Sequence, residues 1–274
     1  MPKRKRAQDA PSPSNEQNVN SSNTPKAPNA FSIPIEGQKP IQCQRHPNTN
    51  SDPKPTLIFT HGAGGGLTAP AIQDFATAFS STSNLVTFQG NINLKSRVSS
   101  FHKVIAHEAC RPALGGRSMG ARAACLAAQE TKSDDQIDNA LVLVSFPLVG
   151  AKKRDSRAQI LLDLPEEMDV LFISGTEDTM CDLEHLSTVV NEMKARSWIV
   201  ECEGADHGMS LPRQKAGSQP MRVRTGEIAA QWLRRRDGGK RFLLLRWDDE
   251  KQVVETEGWN EGVSEDEGQA ESPG

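Results

Sequence analysis

A serine set between small residues and followed at once by an alanine run constrains this chain more than any other feature. Gly116-Arg117-Ser118-Met119-Gly120 has the pattern G-x-S-x-G, and Ala121, Ala123, Ala124, Ala127 and Ala128 come directly after it. Such a turn folds a strand end straight into a helix and pushes the serine Oγ into the open, which only small neighbours allow. Ala113-Leu114-Gly115 supplies the end of a short buried strand. The alanines then make a helix thin enough to lie close on a sheet.

Other runs of the same kind set the fold class. Residues 56–60, 85–88, 140–146, 170–174 and 197–201 are short, apolar and partly β-branched. Helical patterns lie between them at about 71–79, 98–109 and 184–196, besides the helix after Ser118, and a last one at 225–236 closes the fold. Near-continuous apolar strands alternating with helices specify a mostly parallel sheet with helices on both faces. One or two edge strands are expected between residues 31 and 44, and a terminal hairpin over residues 241–254. The segment 150–167 is too short to build a large helical lid. A shallow, open site is expected, which favours small or extended polar substrates.

Three candidate groups for acyl chemistry occur in the order serine, acid, histidine, which the α/β-hydrolase fold requires. After the strand at 56–60 comes His61-Gly62-Ala63-Gly64-Gly65-Gly66. Acyl transfer builds negative charge on a carbonyl oxygen, and backbone N–H groups fixed in such a loop stabilise it without reorganising. The candidate oxyanion hole is the N–H of Ala63 or of Gly62, working with that of Met119. The strand at 170–174 runs into Gly175-Thr176-Glu177-Asp178-Thr179-Met180-Cys181-Asp182, where an acid orienting a histidine belongs. Asp178 is the first choice, with Asp182 and Asp206 as alternatives. The strand at 197–201 leads to Gly204-Ala205-Asp206-His207-Gly208-Met209, so His207 is the candidate general base. His61 is expected to bond to backbone and shape its loop. Arg117 could draw an anionic substrate to Ser118, whereas Arg122, one helical turn on, is expected to pair with an acid.

The segments FTHGAGG, GGRSMGARAA, LVLVSFPL, ILLDLP, VLFISGTEDTMCD and GADHGM together resemble the α/β-hydrolase-like domain shared by testis-expressed protein thirty and the third regulatory subunit of the NSL histone-acetyltransferase complex. The resemblance covers about residues 37–236. It implies a serine-hydrolase-like domain related to dienelactone hydrolases, with Ser118, Asp178 and His207 at the triad positions. It implies no particular substrate, and some family members act as subunits of chromatin complexes.

Charge is distributed unevenly along the 274 residues. Residues 1–30 carry five Lys/Arg against two acids and are rich in Pro, Ser, Asn and Gln, whereas residues 248–274 carry ten acids against one Lys. The first segment is expected to be a disordered basic tail, the last an acidic tail, and residues 31–247 the hydrolase-like domain. Lys3-Arg4-Lys5-Arg6 has the form of a nuclear-import signal, which makes the nucleus, the cytoplasm or both the expected location. Neither the chain nor its core is basic enough for nucleic acid to be the main ligand. No run approaches the length of a membrane span, so no membrane association is expected. The five cysteines lack CxxC spacing, which suits a reducing compartment, and Cys43-Gln-Arg-His46 is a lone pair; no metal and no cofactor are expected.

Two functional readings follow. The leading one is a serine hydrolase acting on an ester, thioester or related acyl bond of a small-molecule substrate through Ser118, Asp178 and His207. The alternative is a catalytically idle hydrolase fold serving as an interaction module with protein partners, in a nuclear or chromatin-associated complex.

Overall fold

Strands buried on both faces must be apolar at every position, and the runs expected from the sequence are strands of one sheet in the computed structural model, which describes residues 27–48, 54–131, 137–150 and 155–261. They are β3 (Leu57–Thr60), β4 (Leu85–Phe88), β5 (Ala113–Arg117), β6 (Ala140–Val144), β7 (Asp169–Gly175) and β8 (Arg196–Cys202). Before them come β1 (Asn29–Ile35) and β2 (Gln38–His46), and after them β9 (Phe242–Asp248) and β10 (Val253–Glu255). The order across the sheet is β1-β2-β4-β3-β5-β6-β7-β8-β9-β10. From β4 to β9 every pairing is parallel; β1, β2 and β10 close the two ends antiparallel.

Strand side chains alternate between two cores. Ile58, Leu114, Leu141, Leu143, Val170, Phe172 and Ile199 pack with α2 (Leu94–Glu108), α3 (Met119–Glu130) and α5 (Leu183–Glu192) on one face. Leu57, Phe59, Val142, Leu171, Ile173 and Trp198 pack with α1 (Pro70–Ser80) and α6 (Ser218–Arg234) on the other. There Trp198 of β8 meets Trp232 of α6 edge-on, with ring centroids 5.5 Å apart. This is the α/β-hydrolase fold expected from the sequence, with helices on both faces. Between β6 and β7 the described residues form only α4 (Gln159–Leu162), a single turn. No described helix is long and apolar enough to cross a membrane.

Element ends differ from expectation for identifiable reasons. Helix α2 begins four residues earlier than its apolar pattern because Asn93 Oδ1 accepts the Ser96 N–H as an N-cap. Helix α6 begins two turns early, since Pro220 lies in the first turn, where a missing N–H breaks no helical bond. The boundary expected after residue 247 falls inside β9, and the sheet continues past it as the expected hairpin. Asp248 Oδ1 accepts the N–H groups of Glu250 and Lys251, Lys251 pairs with Asp248 and Glu255, and Asn260 bridges back to Phe242. These acids serve the turn and are not all tail. The basic cluster 3–6, the rest of the segment 1–26 and the acidic run 264–267 lie outside the described residues.

Candidate active site

The ends of β3, β5, β7 and β8 meet along one edge of the sheet, and each contributes a loop. The chain leaves β5 through Ser118, whose φ of 54° and ψ of −113° lie in a region that side-chain-bearing residues rarely occupy. The sequence allows this because nothing crowds the turn: a Cβ on Gly116 would stand 2.7 Å from Gly120 O, and one on Gly120 2.8 Å from His61 O. Helix α3 starts at Met119, so its first N–H groups lack intrahelical acceptors directly after the serine.

His207, on the loop after β8, places Nε2 2.9 Å from Ser118 Oγ. Its Nδ1 meets both oxygens of Asp178, at 2.8 Å for Oδ2 and 3.0 Å for Oδ1. The Asp178 side chain is fully buried and that of His207 is one-quarter exposed. Asp178 Oδ1 also accepts the Met180 N–H at 2.8 Å, which fixes the carboxylate plane. The two alternative acids are engaged elsewhere. Asp182 caps α5 by accepting the His185 N–H, and Asp206 accepts those of Gly208 and Ser210, shaping the turn that carries His207. A serine, an imidazole and a buried carboxylate so linked can move the hydroxyl proton to the ring while the carboxylate holds the other nitrogen protonated.

The glycine loop after β3 lies against the serine. Gly62 is buried, and a Cβ there would stand 3.4 Å from Ser118 Cβ; Ala63 is exposed beside it. His61 shapes the loop as expected. Its Nδ1 donates to Gly62 O at 2.6 Å and its Nε2 accepts the Gly90 N–H at 3.0 Å, a pair of roles that requires the neutral ring. Burial, reinforced by the nearby Arg97 charge, pushes this imidazole down to about 4.

Three arginines surround the site. Arg117 turns back from the serine: Nη2 donates to His207 O, tying the histidine loop to β5. Burial lowers its pKa from the ordinary arginine range, opposed by the charges of Asp178 and Asp206. Arg122 departs from expectation, since among the described residues it makes no ion pair and its Nε is buried without a partner. Asp155, the acid that acts on it, is offset by Arg157 alongside. Arg97 was not foreseen at all. It is fully buried in the first turn of α2, and its signal was its place on the apolar stripe with Phe101 and Val104.

A family model described as an alpha/beta hydrolase domain matches residues 92–231. Among solved structures the chain is similar to Est1E from Butyrivibrio proteoclasticus, at 14% identity and TM-score 0.59 over 75% of this chain and 99% of that one. It is also similar to the esterase domain of a Rhodothermus marinus protein, at 13% identity and TM-score 0.59 over 77% and 99%. A third is a protein assigned as a dienelactone hydrolase from Klebsiella pneumoniae, at 16% identity and TM-score 0.59 over 77% and 100%. At these identities the likeness is one of fold.

Proposed function

The chain belongs to the alpha/beta hydrolase domain family, and we propose that it is a serine hydrolase cleaving an ester, thioester or related acyl bond. The observation that carries this reading is the unbroken hydrogen-bonded line from Ser118 through His207 to Asp178 at a strained strand-to-helix turn. In the proposed reaction His207 Nε2 takes the proton of Ser118 as Oγ attacks the acyl carbon. Asp178 holds the Nδ1–H tautomer and stabilises the imidazolium that forms. The N–H groups of Met119 and of Ala63 or Gly62 receive the negative oxygen of the tetrahedral intermediate. His207 then returns the proton to the leaving group, and water releases the acyl group by the same steps in reverse roles.

The Rhodothermus marinus domain is named as an esterase domain, which agrees with acyl-bond chemistry. The single turn of α4 between β6 and β7 favours a small or extended polar acyl substrate over a long buried chain. Within the family, the six sequence segments favour kinship with the testis-expressed protein thirty group, a kinship that names no substrate.

A fluorophosphonate probe, which phosphonylates activated serines, tests the reading. Labelling of the wild type between about pH 6 and 9, lost in Ser118→Ala and His207→Ala, is expected. A folded wild type that takes no label anywhere in that range overturns it.

A further inference from the structure

Arg97 is expensive where it stands. Its side chain is fully buried, no carboxylate among the described residues pairs with it, and its positive charge lies in the first turn of α2, near the positive end of the helix dipole. Burial pulls the guanidinium down to about 10. One nitrogen, Nη2, is buried with no hydrogen-bond partner. The remaining donors all go to main-chain carbonyls of two loops. Nη1 donates to His61 O and, at 3.3 Å, to Gly62 O, while Nε donates to Asn91 O at 2.9 Å. Gly90 makes room for the group, since a Cβ there would stand 2.6 Å from Cζ.

The two carbonyls held by Nη1 belong to the peptides His61–Gly62 and Gly62–Ala63. Their N–H groups are those of Gly62 and Ala63, the two candidates for the oxyanion hole. In a trans peptide the N–H points opposite to the C=O, and the described residues include no cis bond. Drawing both carbonyls toward Arg97 therefore turns both N–H groups away from it, in a loop whose Gly62 lies beside Ser118. We propose that Arg97 is a positioning residue that pins these two peptides from beneath and so aims the oxyanion loop at the reacting carbonyl. The inference rests on the hydrolase reading and deepens it. The carbonyl-bound cation also polarises each peptide so that its N–H becomes a better donor to a developing oxyanion.

The test compares wild type with Arg97→Met and Arg97→Lys, using p-nitrophenyl acetate as substrate and crystal structures of the same proteins. A loop aimed at the transition state predicts that kcat falls by about 100-fold in Arg97→Met while KM stays within about threefold. Arg97→Lys, which keeps the charge but not the forked donors, should recover part of that loss. The His61–Gly62 peptide, whose carbonyl Arg97 holds most closely, should turn in the Met variant. A Met variant with wild-type kcat, or one whose loss appears wholly in KM, overturns the proposal. If the Met variant does not fold, Arg97→Lys and Arg97→Gln carry the same two measurements. A wild type that turns over no ester and takes no fluorophosphonate brings down the hydrolase reading. The pinning is then decided by the peptide alone, and an unturned peptide in a folded variant overturns it.

Discussion

Two buried histidines should make this protein lose stability on mild acidification, well before its carboxylates begin to titrate. His46, bonded to Thr87 Oγ1 at 3.2 Å, and His61 are each only 3% exposed, and burial pushes both imidazoles from 6.5 down to about 4. The unfolded chain binds the proton first, so this stability is complete above pH 6.5 and is lost as the pH falls toward 4. For one such histidine, linkage gives a loss of about 1.4 kcal/mol at pH 5.5 and about 2.5 kcal/mol at pH 4.5. The pair should therefore remove about 2.7 kcal/mol between pH 7.5 and 5.5, a window in which ordinary Asp and Glu stay ionised. Urea unfolding followed across that window measures the loss directly, through the midpoint and its slope. His46→Gln, which keeps a polar partner for Thr87 but cannot titrate, should halve the pH dependence. Stability that stays flat from pH 7.5 to 5.5, or a His46→Gln slope equal to that of the wild type, refutes the reasoning.

Asp178→Asn should lower kcat/KM by about 10⁴ while leaving the melting temperature close to wild type, because the amide is the same shape but donates to Nδ1 and forces the wrong tautomer on His207. A loss below tenfold in an esterase assay would show that another group orients the ring. Gly120→Val and Gly116→Val should each cost about 3 kcal/mol or more of folding stability, since the new side chain meets main-chain atoms that cannot step aside. Two soluble variants with wild-type urea midpoints would count against a tight turn at Ser118.

Much of the fold was legible because its strands are buried on both faces. Residues 140–144 and 170–174 are apolar at nearly every position, which in so short a run leaves little besides a central parallel strand. The site was legible as an order of types along the chain, but not in every identity. Asp178, Asp182 and Asp206 all stand in turns, and turn chemistry favours aspartate whatever else it does. Only in three dimensions do two of them give their oxygens to backbone N–H groups while the third reaches His207. Arg97 was hidden for a different reason. A cation near a helix start reads as solvated, and the carbonyls it binds lie some 35 residues away on a loop whose approach depends on β4 crossing beyond β3. The hairpin past residue 247 was visible, but its acids counted toward a tail until their hydrogen bonds to the turn gave them another role.

The edge-on contact of Trp198 with Trp232 gives the molecule a built-in optical reporter. The chain has no tyrosine and only four tryptophans, at positions 198, 232, 247 and 259, so its near-ultraviolet emission comes entirely from the side of the sheet that holds β8, β9 and α6. Light from these indoles follows the surroundings of β8, β9 and α6, whereas Ser118 lies at the end of β5. On the proposed hydrolase reading, covalent capture of Ser118 follows the assembly of the turns after β5, β7 and β8. Running both signals along one denaturation curve therefore asks whether the packing of α6 and the turns around Ser118 come apart together, and coincident transitions would mark a single cooperative unit.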